Sequence, residues 1–334
     1  MNHQDQYHFS ALLASGLARQ ADRFSPAYRE NLRSGVRSWI MFCLHYNRSY
    51  LPADRNTLVA FIELLSRTCK SSHIRNVMVA VKHLHEATNN IFPEADYVID
   101  GVLQGLKRQQ QHTPRRVLPI TVELLKKIRP LLNMDVGRDL ALWAAMLTAF
   151  HGLFRKANMC PRSLAKYDPV KDFSRAKVDY PQNSNMALLL VTWSKTIQFA
   201  ERTLFVPLLE NTQDPEMCPV THLKALHQRF QLPSESHAFA YLDESGQEKL
   251  ITYSEFTRRL KNLLRLIGVD ATRYSGHSLR RGGSSLLHSL SAPDRLIQAA
   301  GDWASETFKN YLHISLEDRL RVQRLLVNYV SVLD

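Results

Sequence analysis

Between Leu140 and Phe150 the chain reads Leu-Ala-Leu-Trp-Ala-Ala-Met-Leu-Thr-Ala-Phe, apolar almost without interruption. Taken as a helix beginning at Gly137, this run has no polar face, and a helix that is apolar all round has to be covered on every side. It is too short to cross a bilayer, and no other apolar run in the chain approaches a membrane span. A globular core therefore has to form around it. Just upstream, Leu106-Lys107-Arg108-Gln109-Gln110-Gln111-His112-Thr113-Pro114-Arg115-Arg116-Val117-Leu118-Pro119 is polar, basic and closed by two prolines, the composition of an interdomain linker. The chain of 334 residues has room for two domains with sizeable cores. The expected division is a helical domain over 1–106, a basic linker over 107–119, and a second domain over 120–334.

Short amphipathic helices fill the first domain. Ser25-Pro26 caps one that carries Tyr28, Leu32, Val36, Trp39, Ile40 and Cys43 on a single face. A second is predicted over 57–65 and a third over 71–87, the latter with Ile74, Val77, Met78, Val81 and Leu84 inward. Their polar faces hold Arg29, Arg33, Arg37, Arg48, Arg75 and Lys82. In the second domain, helices are predicted over 121–132, 137–150, 221–230, 254–267, 277–289, 293–300, 305–313 and 316–333. Two strands, 186–193 and 202–208, flank a turn at Ser194-Lys195-Thr196-Ile197-Gln198. The fold class expected is mainly α with a small antiparallel β-sheet.

Lys and Arg number 43 against 31 Asp and Glu, a net charge of +12, and arginine outnumbers lysine. A polyanion is the natural partner, since guanidinium grips phosphate at two points. The arginine bias of the helical faces and linker suggests a surface laid along a DNA backbone through Arg33, Arg37, Arg75, Lys107, Arg108, Arg115 and Arg116. Cys43, Cys69, Cys160 and Cys218 are widely spread and form no CxxC pair, which argues against a zinc site or disulfide framework and for a reducing compartment. The N-terminal residues lack the pattern of a secretory signal. Location is expected to be nuclear in a eukaryote and cytoplasmic otherwise.

Near the C-terminus, Gly276-His277-Ser278-Leu279-Arg280-Arg281-Gly282-Gly283 is followed by Gly301-Asp302-Trp303 and by Asn310-Tyr311-Leu312-His313. Imidazole, guanidinium, indole and phenol are thereby gathered in a set suited to holding a phosphodiester while a tyrosine attacks it. Residues 118–334 resemble the catalytic domain of the tyrosine recombinase (phage integrase) family. The wording of Trp193-Ser194-Lys195-Thr196-Ile197-Gln198 and of the Gly276–Gly283 stretch is similar to the recombinases of crypton and DIRS-like mobile elements. The helical region over 20–106 is similar in size to that family's core-binding domain, so the resemblance implies a two-domain clamp.

Carried across residue by residue, the resemblance puts the first arginine on Arg155, the hairpin lysine on Lys195, the HxxR pair on His277 and Arg280, and the nucleophile on Tyr311. It departs in two places. Where the family has an acidic residue three positions after the first arginine, this chain has Asn158. In the slot directly after a glycine, normally His or Trp, strict counting from Gly301 gives Asp302, with Trp303 one residue later. An ionised aspartate repels phosphate whereas an indole N–H donates to it, so Trp303 is taken as the site residue, the alternative being that Trp303 packs in the core and Asp302 caps a helix.

The chemistry implied is transesterification. A phenol with a pKa of about 10 is mostly neutral at physiological pH, so His277 is expected to take the Tyr311 proton. Arg155 and Arg280 clamp the non-bridging oxygens, and Lys195 protonates the departing 5′-oxygen. A 3′-phosphotyrosyl link forms and strands rejoin without ATP, metal or cofactor. Arg281 is a further candidate backbone contact. The resemblance also implies a homo-tetramer on double-stranded DNA, closed by an amphipathic helix over 316–334 docking into a neighbour. The expected function is site-specific recombination or integration for a mobile element. The alternatives are a type IB topoisomerase-like nicking and resealing enzyme and a domesticated DNA-binding protein that has lost catalysis.

Overall fold

The structure is a computed structural model. It describes residues 23–110, 117–194, 196–197, 201–303, 305–310 and 312, with a few isolated positions before 23. The chain divides into two compact units, residues 1–114 and 115–334.

In the first unit four helices surround one apolar cluster: α1 (Pro26–His45), α2 (Arg55–Ser66), α3 (Ser71–Ala87) and α4 (Tyr97–Gln109). Each start but one is capped in the expected way. Ser25 accepts from the Tyr28 amide, Asp54 from Thr57 and Asp96 from Val98 and Ile99, offsetting the open N–H groups of a first turn. Trp39, Leu58, Ile62, Ile74 and Val81 are fully buried. Gly35 lets α1 and α3 approach closely, because a Cβ there would stand 2.6 Å from the Ala80 Cβ. His85, buried at the end of α3, faces the Val81 carbonyl through Nδ1 and accepts the Ala53 amide at Nε2, so both ring nitrogens are satisfied by backbone. Helix α4 corrects the expected linker. Lys107 and Arg108 sit in its last turn rather than in a loop, and Leu106 is buried.

The second unit is built around the apolar run. Helix α6 (Gly137–His151) is buried from Leu140 to Phe150 without a break, and Trp143 donates through its indole to the Glu216 carbonyl at 2.9 Å. Around it lie α5 (Val122–Ile128), a short α7 (Lys156–Met159), α8 (Pro219–Arg229), α9 (Tyr253–Leu266), α10 (His277–Ser289) and α11 (Asp294–Ala300). Strands β1 (Val178–Asp179), β2 (Met186–Val191) and β3 (Leu204–Leu209) form an antiparallel sheet in that order, with Leu189 opposite Val206. A separate two-stranded ribbon pairs β4 (Tyr241–Leu242) with β5 (Glu248–Lys249). The fold is thus mainly helical with a small antiparallel sheet. Where a helix was expected over 305–313, Glu306–Asn310 is a 3-10 turn.

Segment 118–120 shows why two glycines follow the two arginines of α10. The Leu118 amide donates to the Arg273 carbonyl at 2.8 Å, and the Ile120 amide donates to the Ser278 carbonyl at 2.9 Å. A Cβ on Gly282 would lie 1.8 Å from the Ile120 carbonyl oxygen, and one on Gly283 would lie 2.2 Å from that of Phe150. Only a residue without a side chain allows α10 to sit this close to α6 and to the incoming segment.

Candidate active site

Two bends in the second unit bring the arginines of the motif together. After α6 the chain turns through Gly152 and Leu153, and Leu153 adopts φ +51°, a left-handed conformation costly for a bulky residue and typical of tightly determined sites. That turn delivers Arg155 to the start of α7. The second bend follows α11, where Asp302 takes φ +52°.

Arg280 joins the two bends. It is 2 % exposed and donates from one guanidinium nitrogen to the Leu153 carbonyl and from the other to the Gly301 carbonyl at 2.6 Å. Its Cζ lies 3.8 Å from the centre of the Trp303 ring. A buried guanidinium held by two carbonyls and an aromatic face is fixed in direction before any ligand arrives, which is the preorganisation an anion site requires.

A small cleft opens beside it, lined among others by Arg155, Asn158, Ser194, Arg280, Gly301 and Asp302. The cleft therefore joins the first arginine, the second arginine and the position after glycine. His277 is the first residue of α10, on the helical face of Arg280 by its i, i+3 spacing, and its amide donates to the Ser275 hydroxyl at 3.2 Å. Lys195 and Tyr311 lie outside the described residues, as do Arg115, Arg116 and the expected helix over 316–334.

The slot after Gly301 places Asp302 and Trp303 in different surroundings. Trp303 is 5 % exposed and packs with Leu153, Ile297 and Phe308 in an apolar cluster; Asp302 is the one that lines the cleft. Among the described residues, Asp302 has partners from another part of the unit. Its carboxylate accepts from the Thr196 hydroxyl through one oxygen and from Arg202 through the other at 2.5 Å. Burial pushes its pKa up, but the hydrogen bonds of Thr196 and Arg202 and the charges of Arg202 and Arg155 outweigh this, so the carboxyl is held below its ordinary range. Thr196 and Arg202 were not singled out from sequence. Their partner lies about a hundred positions downstream, and no local pattern announces the pairing.

Other basic candidates separate by burial. Arg281 is 6 % exposed and donates to the Leu312 carbonyl at 3.1 Å, which corrects its placement among surface phosphate contacts. Arg33, Arg37, Arg75, Lys107 and Arg108 are exposed on the helices of the first unit; Arg33 pairs with Glu30 on its own helix, at 3.7 Å. Among the described residues no cluster of three or more His, Cys, Asp or Glu is arranged to hold a metal, and no helix is long and apolar enough to cross a membrane.

No protein-family model and no curated protein sequence matches the chain. Solved structures do. A lambda integrase dimer bound to a COC′ core site aligns with a TM-score of 0.57 at 14 % identity, covering 95 % of this chain and 96 % of that one. The post-cleavage complex of the XerH site-specific recombinase with a palindromic difH substrate aligns at 0.55 and 13 % identity, covering 82 % and 72 %. Its pre-cleavage complex aligns at 0.52 and 12 % identity, covering 83 % and 72 %. This chain has the tyrosine recombinase fold. At these identities the likeness is one of architecture, and the chemistry has to be argued from the cleft itself.

Proposed function

We propose that this protein is a site-specific DNA recombinase or integrase that cleaves a strand through Tyr311 and rejoins it to another. The observation that carries this reading is the convergence of Arg155 and Arg280 on one cleft from elements far apart in the chain, in a fold shared with DNA-bound recombinases. The fixed guanidinium of Arg280 together with that of Arg155 would bind the non-bridging oxygens of the scissile phosphate and offset the charge that grows as phosphorus becomes five-coordinate. His277, at the start of the helix that carries Arg280, would take the phenol proton as Tyr311 attacks, and Lys195 would protonate the 5′-oxygen as its bond to phosphorus breaks. One ester replaces another, so the bond energy is kept for the reverse attack by a 5′-hydroxyl.

The wording of the motif supports a mobile-element origin of the crypton or DIRS-like kind. Strand exchange requires two duplexes, and a homo-tetramer closed through residues 316–334 would hold them. The exposed basic helix faces of the first unit would contact duplex backbone.

A second reading, a DNA-binding protein that keeps the fold without cleavage, is favoured by one observation: a carboxylate, Asp302, lines the cleft where a phosphate donor is usual. The experiment that decides between them uses nicked duplexes drawn from the DNA flanking the gene. Incubation followed by denaturing electrophoresis should give a covalent protein–DNA adduct that Tyr311→Phe abolishes while duplex affinity stays nearly unchanged. Duplex binding with no adduct from the unaltered protein would favour the second reading. An adduct that persists in Tyr311→Phe would move the nucleophile elsewhere.

A further inference from the structure

Asp302 is surrounded by groups that explain a carboxylate in a site built for an anion. Its two oxygens are divided between two partners on the connection from β2 to β3. Thr196, near the beginning of that connection, donates its hydroxyl to one oxygen, and Arg202, near the end, donates a guanidinium N–H to the other at 2.5 Å. Thr196 is itself tied back into the turn, its amide donating to the Ser194 hydroxyl at 3.1 Å and Ser194 pairing with Ile197. Ser194 also lines the cleft.

On the other side, Asp302 is fixed by the backbone. It follows Gly301, whose carbonyl Arg280 holds, and its left-handed φ of +52° turns the chain at that point. A single carboxylate thus links the anchored floor of the cleft, Arg280 and Gly301, to both ends of a turn. It also pairs with the charge of Arg202, a guanidinium that is otherwise partly exposed.

We propose that Asp302 is a positioning residue: it holds Thr196 and Arg202, and with them the connection from β2 to β3 that carries Lys195 in the sequence, against the floor of the cleft. This rests on the recombinase reading. The geometry is specific. A carboxylate offers one oxygen to each donor and a charge to Arg202, whereas a neutral His has a single acceptor nitrogen and a Trp none, so neither could hold both partners. Asp302 acts through its neighbours and not on the phosphate, so its removal should impair protonation of the leaving 5′-oxygen more than attack on phosphorus.

That difference can be read directly, because a sulfur in place of the bridging 5′-oxygen departs as a thiolate and needs far less help from an acid. Once the cleavage position has been mapped, full-length protein is compared on the ordinary nicked duplex and on one with 5′-bridging sulfur. Single-turnover formation of the covalent adduct is the readout. Asp302→Ala and Thr196→Val should slow the oxygen substrate, the former by about 10²-fold, the lower end of general-acid contributions, and both should be restored to within about threefold of the unaltered protein on sulfur. Asp302→Asn, which keeps one acceptor for Thr196 but no charge for Arg202, should fall between.

Combining Asp302→Ala with Thr196→Val should add less than the product of the two single effects. Equal losses on oxygen and sulfur would overturn the proposal and make Asp302 a structural or phosphate-facing group. Undiminished rates on oxygen would show the clasp to be idle. If the unaltered protein forms an adduct on neither substrate, the recombinase reading fails and takes this one with it; an active protein with indifferent Asp302 variants sinks the clasp alone.

Discussion

In residues 1–114 the arginines of the amphipathic helices stand on open faces, as Arg37 and Arg75 do, whereas in residues 115–334 the half-buried Arg175 and Arg259 and the buried Arg280 and Arg281 are occupied by protein. Arg175 donates to the carbonyls of Phe230 and Ala240, Arg259 pairs with Asp139 at 2.5 Å, Arg280 holds Leu153 and Gly301, and Arg281 holds Leu312. The same residue type therefore does two jobs. Exposed guanidinium groups supply a diffuse, salt-sensitive attraction for a polyanion. Those held by protein fix local structure, and of these four only Arg280 also lines the cleft. Net charge counts all of them alike, which is why it predicts a nucleic-acid partner without saying where the chemistry lies.

The largest effect is expected at Arg280. Its replacement by Ala removes the hydrogen bonds of two buried carbonyls and should lower stability by about 3 kcal/mol. Arg280→Lys keeps the charge but not the planar fork, so it should retain much of that stability while adduct formation falls by about 10²–10³-fold. Denaturant unfolding and single-turnover cleavage measure the two separately. If Arg280→Lys cleaves normally, the fork is dispensable.

Next in size is Gly282→Ala. A methyl group 1.8 Å from the Ile120 carbonyl cannot be accommodated without moving α10 or the segment before α5, and a loss of about 2 kcal/mol is expected in urea unfolding. An unchanged midpoint would mean that the helix has room to slide. Arg281→Gln should cost about 1.5 kcal/mol through the Leu312 carbonyl. Because Leu312 follows Tyr311 in the chain, this variant should also slow adduct formation more than it weakens duplex binding. A proportional loss of both would make Arg281 a DNA-facing residue after all.

The smallest effect on stability belongs to the exposed set. Arg37→Gln and Arg75→Gln should leave the unfolding midpoint where it is. They should reduce the slope of log affinity against log salt by about 0.9 for each phosphate that the arginine neutralises. A salt slope that does not change would show that these faces are merely solvated.

Much of the fold was legible because its signals are local. Helix α3 and helix α10 have the limits that apolar spacing suggests, and the buried run gave α6. The end of α4 was hidden by its own polarity. Lys107, Arg108 and Gln109 look like linker, and only the N-cap Asp96 with Ile99, Leu103 and Leu106 at helical spacing signals the helix beneath. The site was legible as a set of residue types in order, but not in its internal pairing. Nothing near Leu153 or Asp302 announces a left-handed backbone, and nothing near Arg281 distinguishes it from a surface charge; those properties are imposed by contacts from far along the chain. Choosing Trp303 over Asp302 rested on the donor chemistry expected of the slot. In the structure Asp302 lines the cleft and accepts from Thr196 and Arg202, and the Trp303 ring lies against Arg280.

The division of labour between the two sets of arginines is tested most directly by measuring duplex affinity and single-turnover adduct formation, at one salt concentration, for Arg280→Lys and for an Arg37→Gln/Arg75→Gln double variant. The account predicts a crossed result: Arg280→Lys binds nearly as well as the unaltered protein and barely cleaves, whereas the double variant binds more weakly and, at saturating protein, cleaves at the normal rate. Variants that lose affinity and cleavage in the same proportion would contradict it.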